Sequence, residues 1–172
     1  PLDAVVDAFA NAVQNYGMSE SVMLVVVQSN EKNIFDQLGL EQHLWAKYKI
    51  ATVRKTLSEI HTEGKIHQGH LVVSGKIVAV TYYRAGYTPD DFPAQESFKG
   101  RQLIEASSTI QVPDLAMQLS GMKKIQQVLT KKEDLANFVS EEIAGRFLKT
   151  FVKINTLDEI ILTKSSMLFG TL

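Results

Sequence analysis

Two polar clusters in this chain follow apolar runs and have the residue types of a ligand site. One is Arg84-Ala85-Gly86-Tyr87, after the run that ends at Tyr83. The Arg84 guanidinium is a planar fork of donors that fits a carboxylate or a phosphate. Gly86 can take positive φ, or let a ligand approach the backbone closely. Tyr87 adds a hydroxyl on a stiff ring. The other cluster is Glu31-Lys32-Asn33-Ile34-Phe35-Asp36-Gln37, after the run Val22–Val27. Glu31 can accept from an ammonium. Asn33 and Gln37 stand four apart on one face of a helix start, and each carries donors and an acceptor. Arg84 for a carboxylate and Glu31 for an amine suit a zwitterionic, amino-acid-like ligand. The competing reading is an ordinary ion pair at Arg84, a Tyr87 that covers an edge, and a solvated loop capped by Asn33.

Other chemistry-bearing residues point less far. No G-x-G-x-x-G follows a strand, and no Walker A pattern is present. His67 and His70 lie too loosely on a polar loop to read as metal ligands, and a turn is expected there. His43 and His61 have no nucleophile nearby. Ser107-Ser108 lacks the glycines of a nucleophile elbow. Lys123-Lys124 opens a helix after Gly121, an unusual place for cations given the helix dipole. The pair is either solvated or near an anion such as phosphate.

The elements that must position these groups follow from periodicity. Leu2, Val5, Val6, Phe9 and Val13 predict an amphipathic helix, with Gly17 as its C′ residue. Val22–Val27 is continuous and β-branched, a strand buried on both faces. A helix is expected from Ile34 to Lys47, with Asn33 as N-cap and Asp36 in its first turn. Ile50–Val53 reads as a strand and Leu57–Glu63 as a short helix closed by Gly64. Leu71–Val73, Ser74-Gly75 and Lys76–Tyr83 form a hairpin with a tight turn. Thr88–Pro93 is a loop, followed by a helix from Gln95 to Ser107 with Phe98, Leu103 and Ile104 inward. Thr109–Val112 is a strand cut by Pro113. Beyond it lie helices at Leu115–Leu119, Lys123–Leu129 and Glu133–Arg146; Phe151–Ile154 fits either state, and Leu157–Leu162 is expected to be helical. This alternation predicts an α/β fold: a mainly parallel sheet with helices on both faces, Rossmann-like and three-layered, with a β-hairpin insertion and a helical C-terminal part. In such a sheet both polar clusters lie at the carboxyl ends of the strands, where ligands bind.

Composition narrows the function classes. The chain has 172 residues, a formal net charge of −1 and no cysteine. A single domain over 1–172 is expected. No basic footprint recommends nucleic acid, and no apolar run reaches the ~20 residues that span a bilayer. The start lacks the basic region of a signal peptide. Absence of cysteine excludes thiolate metal sites and disulfides, and fits a cytoplasmic protein.

Three stretches resemble the eukaryotic-type glutathione synthetases. Glu31 with Asn33-Ile-Phe-Asp-Gln37 is similar to that family's Glu-x-Asn-Ile-Phe-Asp-Gln. Ala79-Val-Thr-Tyr-Tyr-Arg-Ala-Gly-Tyr87 resembles its Val-Ala-Val-x-Tyr-Phe-Arg-x-Gly-Tyr region. Pro113-Asp114 through Gln118-Leu-Ser-Gly-Met-Lys-Lys-Ile-Gln-Gln127 resembles its Pro-Asp … Gln-Leu-Ala-Gly-Thr-Lys-Lys-Val-Gln-Gln. The likeness covers about 22–127 and continues more faintly to Thr150-Phe151 and Leu157-Asp158.

The family joins γ-glutamylcysteine and glycine with ATP and magnesium, through an acyl phosphate. The resemblance implies that this chain is its substrate-binding domain. It implies that Glu31, Asn33, Gln37, Arg84 and Tyr87 hold γ-glutamylcysteine or glutathione, with Ala85 and Gly86 against it through backbone. Lys123 matches a family lysine near the ATP, although Met122 replaces the usual threonine before it. The flanking ATP-grasp parts, with their glycine-rich loop and magnesium carboxylates, are not recognisable. Pro1 and Leu172 are therefore expected to be the ends of a domain, and neither ATP nor Mg²⁺ is expected to be bound wholly by this chain. Expected partners are the substrate peptide, the ATP-grasp parts and, as an assembly, a homodimer. The alternative is a stand-alone module that binds γ-glutamyl peptides without catalysis. The acceptor, glycine or β-alanine, stays open.

Overall fold

The computed structural model describes residues 2–152 and 154–155. Its contacts gather into two compact units, Pro1–Asp114 and Leu115–Leu172. Every strand among the described residues belongs to the first. There, α1 (Leu2–Tyr16) buries Val6, Phe9, Ala10 and Val13, a stripe at helical spacing, and the chain leaves it through Gly17 at φ +80°. The strand β1 (Val22–Val26) is buried at every position. Then come α2 (Ile34–Tyr48), β2 (Thr52–Lys55), α3 (Leu57–Glu63), β3 (Lys65–His67), β4 (His70–Val73) and β5 (Lys76–Tyr83). A 3₁₀ turn at Pro89–Asp91, α4 (Gln95–Glu105) and β6 (Ile110–Val112) complete the unit.

The sheet has six strands in the order β2-β1-β5-β4-β3, with β6 also paired to β5. Pairs β1–β2, β1–β5 and β5–β6 are parallel; β3–β4 and β4–β5 are antiparallel. The strand β5 is long enough to change neighbours along one side, pairing with β4 at Lys76–Ile77 and with β6 at Val80–Tyr82. Two apolar clusters cover the two faces. Val6, Phe9 and Val13 of α1 with Leu40 and Leu44 of α2 pack one face. Leu57 and Ile60 of α3 with Ile104 of α4 pack the other. This is the expected three-layer α/β fold with its hairpin. The hairpin turn has Ser74 and Gly75 at φ +51° and +75°, the paired positive values that match strand twist.

Several details depart from the expectations. The strand β2 lies at Thr52–Lys55 rather than 50–53, because pairing with β1, not apolarity, fixes it: Met23 stands opposite Thr52 and Val26 opposite Lys55. The strand β3 was expected as loop. It is exposed throughout, and its turn at Gln68-Gly69 has φ +51° and +84°, so His67 and His70 face each other across a second hairpin. Phe98 does not point inward: it is 49% exposed and stacks on Phe92 at 4.7 Å. Ser97, Gly100 and Ile104 face the core instead. Gly100 decides this, since a Cβ there would lie 1.9 Å from the Leu57 carbonyl oxygen. Only glycine lets α4 lie so close to α3. Asn33 stands at the N-cap position of α2, but its side chain makes no capping hydrogen bond.

The second unit holds α5 (Leu115–Ser120), α6 (Lys123–Val128), α7 (Lys132–Leu135) and α8 (Glu141–Leu148). The single helix expected over Glu133–Arg146 is two. Ser140 caps the second by accepting from the Ile143 N–H at 3.4 Å, and Glu141 and Glu142 favour a fresh N-terminus there. Phe151 and Val152 take neither helix nor strand form; Leu157–Leu162 lies outside the described residues. Among the described residues no helix is long and apolar enough to cross a membrane.

Candidate functional site

The parallel pair β1–β5 brings the two polar clusters to one edge of the sheet. The ladder runs one residue beyond β5, with the Arg84 N–H donating to the Val26 carbonyl at 2.8 Å. Strand alternation then sorts the side chains. Tyr82 faces α1, with its ring 4.9 Å from Phe9. Tyr83 and Ala85 belong to the opposite core, under α3 and α4. Arg84 follows Tyr82: its guanidinium lies 5.9 Å from that ring, and Nη1 donates to the Tyr82 hydroxyl at 3.5 Å.

Glu31 comes to Arg84 from the loop before α2. Burial would raise its carboxyl. The Gln37 amide, the backbone N–H groups of Asn33 and Gln28 and the charge of Arg84 outweigh that and hold it below the ordinary 4.5. Glu31 is therefore a carboxylate at neutral pH. Its Oε1 accepts from the Asn33 N–H at 2.9 Å. Gln37, one turn into α2, is 3% exposed. Glu31 Oε2, Gln37 Nε2 and Arg84 Nε are all buried and none reaches full hydrogen-bond geometry, although the Gln37 amide lies close enough to Glu31 to favour its carboxylate. Leaving buried polar atoms unmatched costs about 1–3 kcal/mol each, so their gathering makes this a candidate place for a polar partner. The set offers one acceptor and two donors, which suits an ammonium and a carboxylate.

A cleft of about 420 Å³ opens at the same edge, on the α3–α4 side. The exit of β1 (Gln28, Ser29, Asn30), the start of α3 (Thr56, Ser58) and Ala85, Asp90, Asp91 and Pro93 of the following loop line it. Of the residues singled out in the sequence, Ala85 lines this cleft, while Glu31, Asn33, Gln37, Arg84 and Tyr87 do not. Gly86 has φ +95°, and a Cβ there would meet only ordinary contacts at 3.7–3.8 Å. Conformation, not close approach, thus calls for glycine. Tyr87 is 51% exposed, and its hydroxyl donates to the Tyr83 carbonyl. Burial of that hydroxyl, with Tyr82 nearby, raises its pKa.

Sequence reasoning missed Asp91 and Arg54. Asp91 Oδ2 accepts from the N–H groups of Gly86, Tyr87 and Thr88 at 3.0, 2.9 and 3.1 Å. Its Oδ1 accepts from Gln28 Nε2 at 2.8 Å. The carboxylate thereby clasps the two strand exits together. Burial would raise it, but these donors hold it below the ordinary 3.8. The pattern Thr88-x-x-Asp91 was the available sign. Arg54 donates from Nη2 to Gln37 Oε1 at 2.6 Å and from Nη1 to Glu41. No local pattern announces that contact.

Residues 21–120 match the family described as Eukaryotic glutathione synthase. The chain belongs to this family. It is 39% identical over 163 residues to the chloroplastic glutathione synthetase of Arabidopsis thaliana, covering 94% of this chain and 30% of that protein. It is 38% identical to the glutathione synthetase of Dictyostelium discoideum, over 89% of this chain and 34% of that protein. The Homo sapiens glutathione synthetase is 36% identical, over 87% and 32%. The chain thus spans about a third of the length of these relatives. A solved glutathione synthetase-like effector from Globodera pallida, in apoform, superposes with a TM-score of 0.61 and 22% identity, over 83% of this chain and 33% of that one. That likeness shows a shared fold.

Lys123, which the family resemblance placed near ATP, opens α6 in the second unit. Its Nζ donates to Gln126 Oε1 at 3.1 Å, and Lys124 Nζ to Gln127 Oε1 at 2.8 Å. Among the described residues no three His, Asp or Glu side chains gather closely enough to hold a metal ion.

Proposed function

We propose that this chain is the substrate-binding part of an ATP-dependent ligase that joins γ-glutamylcysteine and glycine. The carrying observation is the group of buried Gln37 with half-buried Glu31 and Arg84, whose three buried polar atoms lack full hydrogen bonds, at the carboxyl edge of a sheet of this family. In this reading Arg84 and the Gln37 amide take the α-carboxylate of the γ-glutamyl group, and Glu31 takes its ammonium. Asn33 lies beside Glu31 on the path of the peptide. Ala85 and Gly86 carry it along their backbone toward the cleft, under Tyr87. Ligation also needs an activated carboxyl, which ATP and magnesium supply in this family. Lys123 is the contribution of this chain toward that nucleotide. The chain's own work is to bind and orient the peptide, which removes most of the entropic barrier to a reaction between bound partners. No observation favours the alternative of a stand-alone binding module.

Calorimetric titration of the purified chain tests the reading. Glutathione and γ-glutamylcysteine are compared with an analogue lacking the α-amine and one with the α-carboxylate amidated. Each analogue is expected to bind about tenfold more weakly or worse, the scale of one lost charged hydrogen bond. Equal binding of all four ligands would refute the assignment of Glu31 and Arg84.

A further inference from the structure

The amide of Gln37 has two unlike ends, and the structure fixes which one faces the ligand side. Arginine donates and never accepts. The Arg54 fork binds the oxygen end of Gln37 through Nη2 at 2.6 Å. Its other arm pairs with Glu41, one turn further along α2, and Glu41 Oε2 accepts from the Thr52 hydroxyl at 2.7 Å. The Arg54 and Glu41 side chains are only 22% and 10% exposed. Arg54 and Thr52 stand two apart on β2, so strand alternation points both to the same face. With its oxygen so held, Gln37 must turn Nε2 away, and that nitrogen is buried without a hydrogen bond, like Glu31 Oε2.

We propose that Arg54, braced by Glu41 and Thr52, is a positioning residue that sets the polarity of Gln37, so that this amide presents donors and reads an acceptor atom of the ligand. This rests on the reading of Gln37 as a ligand contact. Arg54 touches no ligand in it. Without Arg54 the Gln37 amide is free to turn its NH₂ toward the Glu41 carboxylate that Arg54 had paired, which sets its oxygen against a ligand carboxylate. Lysine at 54 still donates to Gln37 but cannot hold Gln37 and Glu41 at once as a fork.

The test has two arms. In the free chain, NMR measures which protons lie near the Gln37 side-chain NH₂. Contacts to the Glu31 side chain are expected, and their loss in Arg54→Met with the backbone spectrum otherwise preserved. Contacts instead to the Arg54 side chain, or an unchanged pattern in Arg54→Met, would overturn the proposal. In the second arm, glutathione affinity is measured for Gln37→Ala, Arg54→Met, the double variant, Arg54→Lys and Gln37→Glu. Gln37→Ala and Arg54→Met are each expected to weaken binding about tenfold. The double variant should be no worse than about twofold below Gln37→Ala, because both changes remove one interaction. Arg54→Lys should recover most of the loss. Gln37→Glu keeps an acceptor for Arg54, and therefore the fold, but loses the donors and should bind at least as weakly as Gln37→Ala. Losses that multiply independently in the double variant would overturn the positioning role. An unchanged affinity in Gln37→Ala would instead overturn the ligand contact itself, while the NMR arm still decides the orientation.

Discussion

Asp91→Asn isolates the electrostatic part of the clasp at the two strand exits. The substitution preserves shape and changes charge. The amide oxygen can face the Gly86, Tyr87 and Thr88 N–H groups, now at 2.9–3.1 Å from Oδ2. Its NH₂ then meets Gln28, which can turn its own amide to accept, so no bond need be lost. The remaining loss is the difference between charge-assisted and neutral hydrogen bonds. Neutral ones contribute about 1 kcal/mol net and charged ones roughly twice that. Three donors share one oxygen, so their gains do not add in full. A loss of roughly 1.5–3 kcal/mol in the local opening free energy of residues 86–88 is expected. At about 1.4 kcal/mol per factor of ten, that means ten- to a hundredfold faster amide exchange at these positions. Core amides of β1 should change far less. The sign with pH follows from the depressed carboxyl: its folded value lies below 3.8, so its stabilisation is whole above the unfolded value and is lost only as pH falls through the folded one. Protection of residues 86–88, corrected for intrinsic exchange, should be flat above about pH 5 in the native chain. Exchange at all three amides within twofold of native in Asp91→Asn would refute the clasp.

Other outcomes follow from the same geometry. Arg84→Lys replaces a fork by a point charge and should weaken γ-glutamylcysteine binding by roughly 1–3 kcal/mol in calorimetry; unchanged affinity would count against a carboxylate contact. Tyr87→Phe should cost less, since its hydroxyl is engaged by the Tyr83 carbonyl. Gly100→Ala gains helix propensity but sets a Cβ 1.9 Å from the Leu57 carbonyl oxygen, so chemical denaturation should show a net loss of about 2 kcal/mol or more. With γ-glutamylcysteine, glycine and Mg-ATP, the purified chain is expected to release no phosphate above background; sustained turnover would mean that the ATP site is encoded here, in Gly121–Gln127 or the C-terminal stretch.

Much of the fold was legible because burial writes itself into local pattern. The continuous, β-branched apolar run Val22–Val27 reads as a strand covered on both faces, and the stripe on α1 as a helix with one wet side. Both hairpin signals are local too, although β3, exposed and with Ile66 as its only apolar residue, was missed. The candidate site was legible in part: strand exits and residue chemistry are both sequential, so the sequence could single out Glu31, Gln37 and Arg84, which the structure brings near one another. What escaped depends on pairing between segments. Nothing near residue 54 indicates that β2 slides by two residues and delivers Arg54 to Gln37. Nothing near residue 98 tells that Gly100 admits α3 so closely that Phe98 is turned outward. Composition and periodicity determined which elements form and which face each buries. The register between strands and the distance between helices were settled only in three dimensions, because they depend on atoms far apart in the chain meeting at contact distance.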